Sequence, residues 1–141
     1  MTIEDWSLHP QLEKDCHLLA AWKPGVLLLH GNASLHWFLL VPKTSAVDLL
    51  DLEVGESLQL LRVARVLHGH LKAELGYPRV NVGALGLVVP QLHLHVVGRR
   101  PDDPCWPAPV WGNLPEGPVY AESELAALKG DIERLLPSGW E

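Results

Sequence analysis

Residues 91–99 read Gln-Leu-His-Leu-His-Val-Val-Gly-Arg, "QLHLHVVGR". Polar Gln91, His93 and His95 alternate with apolar Leu92, Leu94 and Val96. A β-strand has a side-chain period of two, so the alternation predicts a strand with its apolar set turned to the core. The Gln-His-His set then shares the other face, and three readings of that face stand open. It can be solvated, as one side of an antiparallel sheet often is. It can hold zinc, for which a His-x-His pair supplies two ligands. Cys16, Cys105, His30, His36, Asp102 and Asp103 are the candidates to complete such a site, and none has signature spacing. The third reading is nucleophilic catalysis. A neutral imidazole with a fixed tautomer attacks phosphorus, and neighbouring donors stabilise the charge that develops.

The surrounding sequence predicts the frame for this strand. "GLVVP" at 86–90 is a connection, and "RVNVGAL" at 79–85 alternates as a second strand. From Glu56 to Leu75, apolar Leu60, Leu61, Ala64, Leu67, Leu71 and Leu75 recur at helical spacing. Gly76, Tyr77 and Pro78 end that long helix. Ser45 and Asp48 resemble a capping box that opens a short helical turn through residue 50. "HWFLLVP" at 36–42 has the length of a buried strand, and 17–31 reads as strand, Pro-Gly turn, strand. Residues 101–118 carry six prolines and two tryptophans and have no regular pattern, while 122–136 form a closing helix. Strands grouped around one long helix indicate an α+β class with an antiparallel sheet, a long helix and a C-terminal helix.

The 141 residues fit one domain, 1–141, with a sizeable apolar core. Acidic residues outnumber Lys and Arg by 17 to 11, which argues against a partner that is a long nucleic acid. A single nucleotide needs only a local patch. Cys16 and Cys105 read as free thiols in a reducing cytoplasm. The acidic start, "MTIEDWSLHPQLEKD", lacks the apolar stretch of a signal peptide, and no apolar run reaches membrane-spanning length. No glycine-rich phosphate loop is present. His68 and His70, two apart on the long helix, face different directions and read as surface or packing residues. The tryptophans read as core or interface residues, and Trp106 and Trp111 as packing against a surface of the chain or of a partner.

"QLHLHVV" resembles the His-apolar-His-apolar-His-apolar-apolar motif of the histidine triad (HIT) superfamily at six of seven positions. The Asn-x-Gly of "RVNVGAL", the strand "WFLLVPK" and the long helix between them are similar in order to that family, over about residues 26–100. The ends, with "LHPQL" and "CWPAPVWG", look like a bacterial subgroup that has Gln at the first triad position. The resemblance implies a HIT-like fold and a nucleotide-binding hydrolase or nucleotidyl transferase acting at the α-phosphate through a nucleotidyl-histidine. It implies His93 as nucleophile, His95 as a phosphate contact that assists the leaving group, and Asn81 as a phosphate or orienting contact. Gln91 stands where the family's first His orders the nucleophile, and an amide both donates and accepts. The Gln and Ser or Thr that many members place before the triad are absent, which leaves backbone N–H groups of Leu87, Val88 and Val89 for an anion. The ribose-binding acid of the family has Asn32 as its nearest match. The histidine step requires no metal or cofactor, and a homodimer is implied. A nucleotide-binding module with little or no turnover is the alternative.

Overall fold

The computed structural model describes residues 5–140. Met1–Glu4, where the acidic start begins, lie outside the described residues. A short helix α1, Pro10–Asp15, leads directly into β1, Cys16–Ala21. The Pro-Gly turn returns the chain as β2, Gly25–His30, and β3, Trp37–Pro42, pairs with β2. A 3-10 turn at Leu49–Asp51 precedes α2, Val54–Ala73. Then come β4, Arg79–Gly83, and β5, Leu94–Arg99, and α3, Glu122–Leu135, closes the fold. The five strands form one antiparallel sheet in the order β1-β2-β3-β5-β4. This is the expected α+β class.

The register explains which side chains meet. Phe38 and Leu40 of β3 stand opposite Val96 and Leu94 of β5. This set is fully buried, and α2 packs on these strands through Leu60, Val63, Leu67 and Leu71. Trp37 and Leu39 stand opposite Val97 and His95, so they share the other face. Every residue of β5 is buried, on both faces. Of the three open readings of the Gln-His-His face, the solvated one does not hold for His93 and His95, because the chain covers them on that side as well, while Gln91 is half-buried.

Several boundaries differ from the sequence reading: β4 ends at Gly83 rather than residue 85, and α2 at Ala73 rather than Leu75. β5 starts at Leu94 rather than Gln91, because its ladder with β4 ends where Gly83 meets His95. The chain beyond Gly83 leaves the sheet, so Gln91–His93 have no strand partner. Helix α2 begins at Val54, two residues early, with Glu53 at its N-cap. Its end is set by Gly76, whose φ of +75° turns the chain so that Tyr77 N–H reaches the Leu71 carbonyl. The Ser45 capping box does not form, and the 3-10 turn starts after Asp48, whose side chain makes no capping bond. Residues 101–118 form turns and loops with no helix or strand, as expected.

Candidate active site

On the face shared by Trp37, Leu39 and His95, a cleft of about 440 Å³ opens. The strands contribute those residues and His30 to its lining. Helix α1 and the start of β1 contribute Gln11, Leu12, Asp15 and Cys16. The connection before the triad contributes Leu85–Val89, and Trp111 and Gly112 come from the proline-rich segment. His93 also borders the cleft. Among the described residues no Lys or Arg does.

His93 and His95 are brought together, with ring centroids 4.8 Å apart and planes at 71°. They are 8% and 6% exposed, so both rings are largely out of water. Their inner nitrogens have different partners. His93 Nδ1 lies 2.7 Å from the Gln91 carbonyl oxygen, which can only accept. Nδ1 of His93 therefore carries the proton, and in the neutral ring Nε2 has a free lone pair. His95 Nδ1 accepts from the Trp37 indole N–H at 2.9 Å, and an indole can only donate. The proton of neutral His95 therefore sits on Nε2. Burial, followed by the His93 and His30 rings, pushes the His95 pKa down to about 3, so His95 is neutral near pH 7. One ring presents a nucleophilic lone pair and its neighbour presents a donor.

His30 and Trp37 complete this polar floor, and strand patterning alone did not select them for catalysis. Their rings stack at 4.2 Å with planes 9° apart. His30 Nδ1 accepts from Asn32 N–H at 3.1 Å, so its neutral ring also carries Nε2–H. Burial lowers the His30 pKa against the opposing pull of Asp15. The signal for this pair is the interstrand register, which carries Trp37 to His95, and a single sequence does not display register. Trp111 covers the His95 ring edge-on at 5.3 Å. It can do so because Gly83 lies beneath it, where a Cβ would stand 3.2 Å from the indole.

The remaining expected site residues fall in several places. Val88 and Val89 border the cleft, Val88 exposed and Val89 buried. Asn81 does not border it, and its Oδ1 accepts from Arg99 Nη1 at 3.1 Å. Asn32 does not border it either. Its Oδ1 accepts from Ser34 N–H, and its Nδ2 donates to the Pro115 carbonyl. Both amides hold main-chain or side-chain structure next to the site. The Gln91 side-chain amide bonds the main chain of His9 and Ser7 rather than the His93 ring. It is the main-chain carbonyl of Gln91 that orders the His93 ring.

Among the candidate zinc ligands, His36 bonds the Tyr77 hydroxyl at 2.8 Å and Asp103 pairs with Arg99 at 2.8 Å. Among the described residues no three of His, Cys, Asp and Glu converge as a metal site. On α2, His68 is exposed. His70 is buried, with Nδ1 3.1 Å from a Glu74 carboxylate oxygen but off hydrogen-bond geometry.

Residues 11–102 match the family model of the HIT domain. Solved structures of histidine triad proteins superpose along nearly the whole chain. One from Sinorhizobium meliloti is 29% identical, with a TM-score of 0.86 over 96% of this chain and 100% of that one. One from Marinobacter aquaeolei is 34% identical, with a TM-score of 0.84 over 94% and 96%. One from Bradyrhizobium japonicum is 32% identical, with a TM-score of 0.82 over 92% and 96%. No curated protein matches the chain.

Proposed function

Because this chain belongs to the HIT domain family, we propose that it binds a nucleotide and cleaves it at the α-phosphorus through a nucleotidyl-histidine intermediate. The observation that carries the reading is the pair of complementary tautomers in one cleft: a bare Nε2 on His93 beside an Nε2–H on His95.

The steps follow from those atoms. The His93 Nε2 lone pair attacks phosphorus and forms an N–P bond, and the bond from phosphorus to the leaving group breaks. The leaving group departs with that electron pair and takes a proton from solvent water. His95 keeps its own proton and donates a hydrogen bond to the phosphoryl group, where negative charge builds. The positive charge gained by the His93 ring is shared with the Gln91 carbonyl through Nδ1–H. Water, or another acceptor hydroxyl, then attacks phosphorus, the N–P pair returns to Nε2, and the attacking group's proton goes to solvent. Backbone N–H groups of Val88 and Val89 are the anion donors of the bordering connection.

The test is a denaturing quench during turnover of a nucleoside phosphoramidate. The wild type gains the mass of one nucleotidyl group. His93→Ala gains none and turns nothing over, yet still binds nucleoside monophosphate, because a nucleophile contributes mainly to the transition state. His95→Ala falls on the order of 10²–10³-fold, the size of one oxyanion donor. Wild-type turnover in His93→Ala would overturn the reading.

A second reading, a nucleotide-binding module with little turnover, has one observation behind it: the exposed connection before the triad presents Leu87 and Val88 rather than polar side chains. It predicts nucleotide binding with no trapped adduct. Free Cys16 and Cys105 support a reducing cytoplasm, and the exposed apolar surface on α2 and β4 supports a homodimer.

A further inference from the structure

The Gln91 side chain reaches across the fold to a segment more than eighty residues away. Its Oε1 accepts from His9 N–H at 2.8 Å, and its Nε2 donates to the Ser7 carbonyl at 2.9 Å. An amide carries an acceptor and a donor side by side, so it pairs with a main chain much as another strand would. His9 is in turn the N-cap of α1, with its Nδ1 accepting from Gln11 N–H at 3.0 Å. The helix that starts at this clasp supplies Gln11, Leu12 and Asp15 to the cleft. Within it, the Gln11 amide donates to Asp15 Oδ2 at 2.8 Å, and Leu12 is buried. On its other side, the main-chain carbonyl of Gln91 holds His93 Nδ1.

One residue therefore grips the nucleophile with its backbone and the α1 side of the cleft with its side chain. We propose that Gln91 is a positioning residue whose side chain, through the main chain of Ser7 and His9, fastens α1 beside the His93 ring and so sets substrate affinity. This rests on the reading of the cleft as a nucleotide site. The two nitrogens of an imidazole point away from each other, so a histidine at this position cannot make both clasp bonds. The amide here is thus no stand-in for a triad histidine, because its side chain has a different partner.

Three variants test the proposal: Gln91→Leu, Gln91→His and the near-isosteric Gln91→Glu. Hydrogen exchange over residues 9–15 needs no substrate, and we expect it to accelerate in Gln91→Leu and Gln91→His. Affinity for adenosine and guanosine monophosphates should weaken on the order of tenfold, as loss of two modest hydrogen bonds implies. KM should rise more than kcat falls, since the Gln91 carbonyl remains in every variant. Gln91→Glu, when protonated, regains a donor, so its affinity deficit relative to wild type at the same pH should shrink as the pH falls. Unchanged exchange over 9–15 in both Gln91→Leu and Gln91→His would overturn the clasp. A fall in kcat with KM unchanged would also overturn the proposal, because the side chain would then act on the chemistry. Failure of the wild type to bind either monophosphate would overturn the nucleotide reading and the affinity half of the proposal, leaving exchange to judge the clasp alone.

Discussion

Trp37 does for His95 what a main-chain carbonyl does for His93: each fixes which nitrogen bears the proton. Trp37→Phe keeps an aromatic ring beneath His30 but removes the indole donor. We expect turnover to fall about five- to tenfold, the worth of one hydrogen bond of about 1 kcal/mol. Nitrogen chemical shifts should show His95 as mixed tautomers. The buried His95 ring also ties stability to pH. An unfolded histidine takes up a proton near 6.5, whereas folded His95 does so only at about 3. Between those values the unfolded state binds more protons, so this contribution is complete above pH 6.5 and declines as the pH falls toward about 3. Urea midpoints across that range should fall less steeply for His95→Asn than for wild type. At this scale the triad was legible because a period of two and three polar side chains sit in one contiguous run. The place of His30 and Trp37 beside the triad was not, because they reach the cleft through pairing between strands.

The proline-rich segment shows how an element without regular structure is held in place. Asp103 is buried and accepts from Arg99 Nε, and from the main-chain N–H groups of Arg100, Cys105 and Trp106. Arg99 also donates to the Ala108 carbonyl. These bonds fix the first turns of a segment that goes on to place Trp111 over His95. Asp103→Ala would leave the buried Arg99 guanidinium without its carboxylate, and we expect a loss of about 3 kcal/mol in urea unfolding. Burial pushes the Asp103 carboxyl up, but the Arg99 and backbone donors outweigh it and hold the pKa down to about 2. The stabilisation is present above the ordinary value of 3.8 and is lost as the pH falls toward about 2. Asp103→Asn should start less stable and lack that acid-dependent loss. The sequence showed this segment to be irregular. It did not show its anchor, since an Arg and an Asp four apart outside a helix have no periodic signal. The late start of β5 has a similar cause, because alternation continues in the sequence past the point where a partner strand ends.

For the whole molecule, the sheet order leaves β4 at one edge. Val82 on that strand and Leu58 and Leu61 on α2 are 48%, 57% and 41% exposed. The tryptophans first suggested an interface, but Trp111 is engaged within its own chain. The apolar surface on β4 and α2 is the better candidate, and an open edge strand with apolar neighbours favours pairing with a second copy. We expect a dimer by light scattering at micromolar concentration, and a monomer for Val82→Lys. Among the described residues no helix is long and apolar enough to cross a membrane.

A point mutation can change a side chain and leaves the peptide carbonyl where it was. The bond that fixes the His93 proton comes from a carbonyl, whereas the bond that fixes the His95 proton comes from an indole. A single substitution at position 37 can therefore loosen the proton placement on His95. The proton on His93 is placed by the backbone whatever side chain stands at position 91.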